Sequence, residues 1–460
     1  MAYSHTTLAQ LKTRLASRLG DSSNVFWLSA ELDDYIAEAL YTWGSLSAFW
    51  RDKSLSMPTV SGTPFYSLSD NSAFAGLTDY TITDADIIRI AQYHLLEPAT
   101  PTSWSGTDMF TLADLTNVLE KRRNQFLMET GLVLTQTSQV TGPPTIGRVV
   151  TADTVMDLRR VVWKDVNDSY TQLWREDEFS LTSYNTGWSV TADTPYAYSV
   201  ISTPPLSIQV APMPGDVGTI EYLSVNSGAS LDPTTGVVLG VPDNVAWVIK
   251  WGMLADLLSA SGPAADISRA AFCESRYRLG VELCRNLPVV LHPELNGVPL
   301  TFNALADMDA GWTTDYWQNL SGAPTDIAVS GDLLALSPVP DGVYSVLLDV
   351  VRKAEVPTLD SDFIQVGREH LDAIIDYCEH LAMFKCGGQE FANSLPNADN
   401  FLRVAVEYSS HLRAQAVDMD KMMGQSSYET SVRPLRELPR KWLWRDKSRS
   451  RGAGREASIG

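Results

Sequence analysis

Three stretches of the sequence bring acids, imidazoles or thiols close enough together to suggest chemistry. In "EHLDAIIDYCEHLAMFKC", Asp372, Asp376 and His380 fall four residues apart. On a helix that spacing puts them on one face, where carboxylates and an imidazole are the donors a zinc ion takes. A metal centre also needs ligands converging from a second element, and the sequence identifies none. His370 lies outside the row and Cys378 on another face. The stretch therefore reads as a solvated acidic face on a helix that buries Leu371, Ile374, Ile375, Cys378 and Leu381. In "WREDEF", Glu176, Asp177 and Glu178 form a carboxylate cluster. Glycosidases bring their two carboxylates across a cleft from separate elements, so three adjacent acids read as surface charge. His5, His94, His292 and His411 have no Ser or Cys partner in a recognisable arrangement. Cys273, Cys284, Cys378 and Cys386 sit in apolar helical patterns without a CxxC pair, as buried free thiols do. Phosphate-loop, dinucleotide, zincin, nucleophile-elbow and EF-hand motifs are absent from the sequence. The expectation is a protein that is not an enzyme, with no catalytic residue, no metal and no cofactor.

The chain has 460 residues, 44% of them hydrophobic and 20% charged, a globular composition long enough for several modules. The formal net charge of −20 is unevenly spread. Nine basic residues against three acids lie from Arg433 to Gly460, so residues 1–432 carry −26. A body that acidic repels nucleic acid. The tail alone can seek an acidic partner. It also holds Trp442 and Trp444 among Arg433, Arg436, Arg440, Lys441 and Arg445, and tryptophan with arginine is typical of interface anchors. Of the thirteen tryptophans, Trp27, Trp43, Trp50, Trp163, Trp247 and Trp251 lie on apolar stripes and read as core. Trp312 and Trp317 share the polar surroundings of the tail pair. No run of about 18 apolar residues is present, and no leader-like apolar segment opens the sequence, so a soluble chain made in the cytoplasm is expected.

The helices are the clearest elements. Leu8, Leu11 and Leu15 recur at helical spacing before Gly20, a natural stop. In "FWLSAELDDYIAEALYTW", Ser29 is the expected N-cap, Glu31 lies in the first turn, and Leu32, Ile36, Leu40 and Trp43 form the stripe. Two such stripes imply an antiparallel hairpin at 1–54, which needs partners from further along the chain. Candidate partners are helix pairs at 241–286, broken at Ser261-Gly262-Pro263, and at 361–423, broken at Gly387-Gly388. A helix is also expected at 110–131, with Leu112, Leu115, Leu119, Phe126 and Leu127 facing inward.

The remainder of 55–240 and the segment 287–360 read as β-rich, and 424–460 as an extended basic tail. "SIQVAPMPGDVGTIEYLSV" lies without gaps over "LLALSPVPDGVYSVLLDVV", Pro212 over Pro338 and Pro214 over Pro340. A duplicated unit of β-hairpin followed by helical hairpin is therefore expected. A fainter echo pairs 82–97 with 150–165. The fold class is α+β, with a bundle built from N- and C-terminal helices and inserted β-rich parts.

The opening stretch resembles the N-terminus of head-to-tail adaptor (connector or neck) proteins of tailed bacteriophages. In that pattern a helix ending in RLGD is followed by a gap and a helix of the form W-S-x-x-E-L-x-x-x-I-x-E-A-L. The matching residues are Arg18, Leu19, Gly20, Asp21, Trp27, Glu31, Leu32, Ile36, Glu38, Ala39 and Leu40; Ser29 lies one place later than in the pattern. The helical segment "WVIKWGMLADLLSASGPAADISRAAFCESRY" is similar to segments of such virion proteins. The region 55–240 exceeds the compact all-helical adaptors and fits a longer one whose β-domains meet the tail. The resemblance implies a virion protein at the head–tail junction, assembled in the host cytoplasm as a ring, usually of twelve subunits. Its partners would be the portal protein and the tail or distal neck proteins, with no membrane. Genomic DNA would pass through its channel without specific binding, and the C-terminal tail would reach between portal subunits. The other class considered is a tail-associated receptor-recognition or glycan-degrading protein, which would need a trimeric β-rich body and a carboxylate cleft.

Overall fold

The computed structural model describes residues 5–68, 80–96, 109–141, 148–202, 205–262, 264–285, 290–310 and 316–422. The architecture is α+β, with ten α-helices and several small sheets among the described residues. Local chemistry sets the helix boundaries. Helix α1 (Leu8–Arg18) starts at a capping box in which Thr7 and Gln10 satisfy each other's backbone N–H groups, and Gly20 leaves it at φ +70°. Helix α2 (Ser29–Ser47) departs from expectation at its start. Leu28 holds the cap position without a side-chain bond, while Ser29 lies inside the helix and accepts from Lys12. Asp21 stabilises the connection instead, its carboxylate accepting the backbone N–H groups of Val25, Phe26 and Trp27 at 3.0, 2.7 and 3.0 Å. Leu8, Leu11, Leu15, Leu32, Ile36, Leu40 and Trp43 are all buried.

Strands β1 (Arg51–Pro58) and β2 (Phe65–Ser67) follow. A second set of elements then begins with α3 (Asp84–Leu95) and α4 (Leu112–Thr130). It continues through β3 (Thr135–Thr141), β4 (Arg148–Val150), β5 (Val155–Lys164), β6 (Tyr170–Gln172) and β7 (Trp174–Arg175). After α5 (Glu178–Tyr184) come β8 (Ala192–Asp193), β9 (Ala197–Ile201), β10 (Ser207–Ala211), β11 (Met213–Pro214) and β12 (Gly218–Asn226). Helices α6 (Ala246–Ser259) and α7 (Ile267–Arg285) close this set. The chain then resumes the first set with β13 (Val290–Leu295), β14 (Val298–Pro299), β15 (Thr301–Phe302) and α8 (Leu305–Ala310). Strands β16 (Ser321–Gly322), β17 (Asp326–Ser330), β18 (Leu333–Ser337), β19 (Val339–Pro340) and β20 (Ser345–Val351) lead to α9 (Arg368–Cys386) and α10 (Gly388–Met422).

The duplicated segments are not β-hairpins. Strand β10 lies in the sheet β4-β10-β9-β7, whereas β12 lies in β3-β12-β5-β6. The Pro-x-Pro segment carries the chain between the two layers of a sandwich, because its prolines have no N–H to continue a ladder. The same happens at β18 and β20, which lie in β15-β17-β18-β2 and β1-β20-β13-β14. Both Ala211–Pro212 and Ser337–Pro338 are cis. Each sandwich has its own core. One is built around Val161, Trp163, Ile208, Val210, Ile220 and Tyr222, the other around Met57, Ile327, Leu334, Leu336, Val346 and Leu348.

Strand order shows that the duplication covers both units in full. Replacing β1, β20, β13 and β14 by β3, β12, β5 and β6 converts one sheet into the other, and β15, β17, β18 and β2 map onto β7, β9, β10 and β4 in the same way. Both parallel contacts recur as well: β15–β17 matches β7–β9, and β16–β19 matches β8–β11. Helix α4 has the 19-residue length of α2 and repeats its stripe, with Leu115, Leu119 and Phe126 where α2 has Leu32, Ile36 and Trp43. Thr83 caps α3 with Asp86 as Thr7 caps α1 with Gln10, and Thr7 bridges Phe363 ahead of α9 as Thr83 bridges Val238 ahead of α6. An inner unit (80–285) is thus inserted in an outer unit of the same fold (5–68 and 290–422). The echo expected between 82–97 and 150–165 is absent, since the first segment is α3 and the second runs into β5, and the counterpart of α3 is α1. The β-rich stretch 55–240 consequently contains strands of both sandwiches.

Candidate functional site

Residues that carry the phage-adaptor resemblance tie the opening helices to the rest of the chain, and one of them, Glu38, crosses the seam between the two units. Glu31 and Glu38 lie seven residues apart on one face of α2, and both are buried. Glu31 accepts a hydrogen bond from the Tyr35 hydroxyl and is 2.9 Å from the Lys385 ammonium, which also donates to Phe26 O at 2.7 Å. Glu38 receives the Lys250 ammonium and, at 2.8 Å, the Trp251 indole N–H. Lys250 comes from α6 of the inner unit and Lys385 from α9 of the outer unit, so α2 is pinned to both. An isolated buried charge costs several kcal/mol, and each glutamate is tolerable only because an opposite charge and a second donor meet it. Desolvation lowers the Lys250 ammonium below its ordinary range, opposed by Glu38. Its other neighbour is His94, whose Nε2 lies 3.3 Å away; burial first, then the Lys250 charge, holds this imidazole neutral.

Two other matched residues, Arg18 and Trp27, act within the outer unit. Arg18 reaches Asp376 at 2.8 Å, and the Trp27 indole donates to Ala382 O at 3.2 Å, both on α9. Arg89 of α3 meets Asp34 of α2 at 2.9 Å. Burial raises the Asp34 carboxyl to about 6, against the pull of Arg89. Farther along, Arg276 of α7 donates to the Tyr377 hydroxyl of α9, and Arg160 of β5 binds Asp309 of α8 at 2.9 Å. At Gly331, in the β17–β18 turn at φ +61°, an added Cβ would lie 2.4 Å from Leu132 O of the inner unit. The two backbones approach there as closely as a glycine allows.

The candidate chemical clusters separate. Asp372 pairs with Arg14 at 2.6 Å, Asp376 pairs with Arg18, and His380 is buried, stacked on Phe391 with its Nδ1 2.9 Å from Ser394 Oγ. The row read as one solvated face is therefore an ion-paired seam against α1 that ends in the core. His370 packs on Trp43 and Tyr408, and the Cys378 thiol points at Tyr35 O. Asp177 is the N-cap of α5, accepting from Ser180 N–H at 2.8 Å, with Glu176 and Glu178 exposed beside it. Trp317, expected in polar surroundings, is buried and donates to Asp309. Cys386, expected buried, is exposed. Among the described residues no group of three His, Cys, Asp or Glu is placed to hold a metal, and no helix is long and apolar enough to cross a membrane. Arg433, Arg436, Arg440, Lys441, Trp442, Trp444 and Arg445 lie outside the described residues, as does Trp312. Sequence reasoning missed Lys250, Lys385 and Arg160, and found no partner for His94. The one available signal was a basic residue inside an otherwise apolar stretch, as in "AWVIKWGML".

Between α1 and α9 runs an open groove lined by Ala9, Gln10, Thr13, Arg14 and Asp372. Its walls are polar and mixed in charge, suited to another protein surface more than to an apolar ligand.

No protein-family model matches the chain, and no curated protein matches it in sequence.

Proposed function

We propose that the chain is a non-enzymatic structural protein of a tailed-phage virion, a head-to-tail adaptor. It forms a ring beneath the portal, extends the DNA channel and offers the tail an attachment platform. The observation that carries this reading is the role of the matched residues. Of the residues that bear the resemblance, Trp27, Glu31 and Glu38 lock the opening helices to α9 and α6, and Asp21 holds the turn between α1 and α2. That the side chains bearing the resemblance also hold the framework together supports the adaptor reading. An acidic body also suits a channel wall, since contacts with phosphate would create tight, salt-dependent binding that hinders passage.

In this reading the basic tail after Met423 docks on the portal, with Trp442 and Trp444 as anchors and Arg433, Arg436, Arg440, Lys441 and Arg445 around them. A segment that orders on its partner gives up part of the interaction energy to that ordering. Co-sedimentation of the chain with the portal ring of the same genome tests the proposal. Stoichiometric co-sedimentation that disappears on truncation after Met423, with the melting profile of the body unchanged, is the expected result. Equal sedimentation with and without the tail would contradict the docking role.

A further inference from the structure

We infer that the chain carries one copy of its own assembly contact internally, and that the same contact between chains joins the α1–α9 face of one copy to the α4 face of the next. The two units are not packed symmetrically. The inner unit presents α3, α6, α7 and β5, while the outer unit presents α2, α8, α9 and the β17–β18 turn. Under the correspondence of elements, a symmetric pair would also join α1 to α4. Instead Thr13, the counterpart of Arg89, and Asn117, the counterpart of Asp34, are both exposed. The ion pairs of α1 run to its own unit, through Lys12 to Asp33 and Asp360 and through Arg14 to Asp372. A contact between unlike faces leaves one of each face open, and repeating it builds a ring or a filament.

A second, independent correspondence lies at the sandwiches. Asp309 of α8 receives Arg160 from the inner unit and also accepts the Trp317 indole N–H. Its counterpart on the inner unit is Thr182 of α5, which likewise accepts an indole N–H, that of Trp188, at 3.2 Å. There no charged side chain of the described residues takes the place of Arg160, and Trp174, Phe179 and Tyr184 beside it are 56%, 83% and 83% exposed. The matching edge on the outer unit, β13–β14, carries Val298 exposed at its turn. Exposed aromatic side chains clustered at the counterpart of a filled site fit a second copy of this chain.

The open α1 face differs from α3 in one informative respect. Where α3 buries Ile88 and His94, α1 has Lys12 and Arg18 at the corresponding positions. The contact between chains is therefore more polar than the one within the chain, and weakens with salt. The inference deepens the ring reading and rests on it, adding that each subunit supplies two structurally alike units, so the ring holds twice as many units as chains.

The test uses the full chain in a Cys386→Ser background with Thr13→Cys and Asn117→Cys, treated with a short bis-maleimide at low and high salt. A ladder of cross-linked multimers that closes at the ring number, fading at high salt, is expected. Either cysteine alone should give dimers at most. No ladder from the pair, or an equal ladder when Asn117→Cys is replaced by Asp216→Cys on the exposed β11–β12 turn, overturns the assignment. A portal-docked layer without the ladder defeats this inference and leaves the adaptor reading standing. A closed ladder with no portal docking defeats the adaptor reading and keeps the contact.

Discussion

Glu38 and Lys250 show how much of this protein depends on individual charges placed out of water. Lys250→Met leaves Glu38 buried with only the Trp251 N–H, and is expected to cost about 3–5 kcal/mol in urea unfolding. Adding Glu38→Leu should restore part of that loss, because two apolar side chains remove the uncompensated charge. A double variant no more stable than Lys250→Met would show that the pair is not coupled. Histidines set the acid response. Burial lowers His380 to about 3 and holds His94 well below its ordinary value. The unfolded chain takes up protons below about pH 6.5 while these rings in the folded chain stay neutral, so stability is present above that pH and falls as pH drops toward 3. Asp34, raised to about 6, runs the other way and gains stability as pH falls through 6. His380→Gln should flatten the stability profile between pH 6 and 4 by up to about 1.4 kcal/mol per pH unit. An unchanged slope would place the acid sensitivity elsewhere.

Capping links the elements to the duplication. Thr7 and Thr83 occupy equivalent positions, each closing a capping box and bridging the segment ahead of a long helix. Thr7→Ala and Thr83→Ala are each expected to cost about 1 kcal/mol. The Thr83 variant should also loosen the seam, because α3 is covered on two sides where α1 is covered on one. The helices were legible in the sequence, since a 3.6-residue stripe, Gly20 and the Gly387-Gly388 break are local signals. The sheets were not. The Pro-x-Pro match between Pro212 and Pro338 was visible, but its meaning depends on β10 and β12 pairing with strands far away in sequence, which no local pattern encodes. Much of β3 is exposed and polar, in "TQTSQVT", so it shows little of the alternation that would mark a strand. Matched sequence around the prolines revealed a repeat, whereas its full extent emerged only from strand order. In the sequence Glu31 reads as a first-turn acid that suits the helix dipole, yet Glu31 and Glu38 are both buried, met by lysines 354 and 212 residues away.

The molecule as a whole is one fold inserted in a second copy of itself, with the helices of both units sharing one hydrophobic core and each sandwich keeping its own. Gly331→Ala, which forces the β17–β18 turn away from Leu132, should lower the melting temperature and make the two sandwiches more susceptible to proteolysis, without unfolding either sheet core. An unaltered digestion pattern would mean that the seam is held by the helices alone. The measurement closest to the central claim is negative-stain microscopy of the chain mixed with the portal ring from the same genome. An adaptor gives an added layer beneath the portal with the portal's rotational symmetry, which is the expected result. A portal ring left bare, with the chain remaining monomeric or forming trimers, would contradict it.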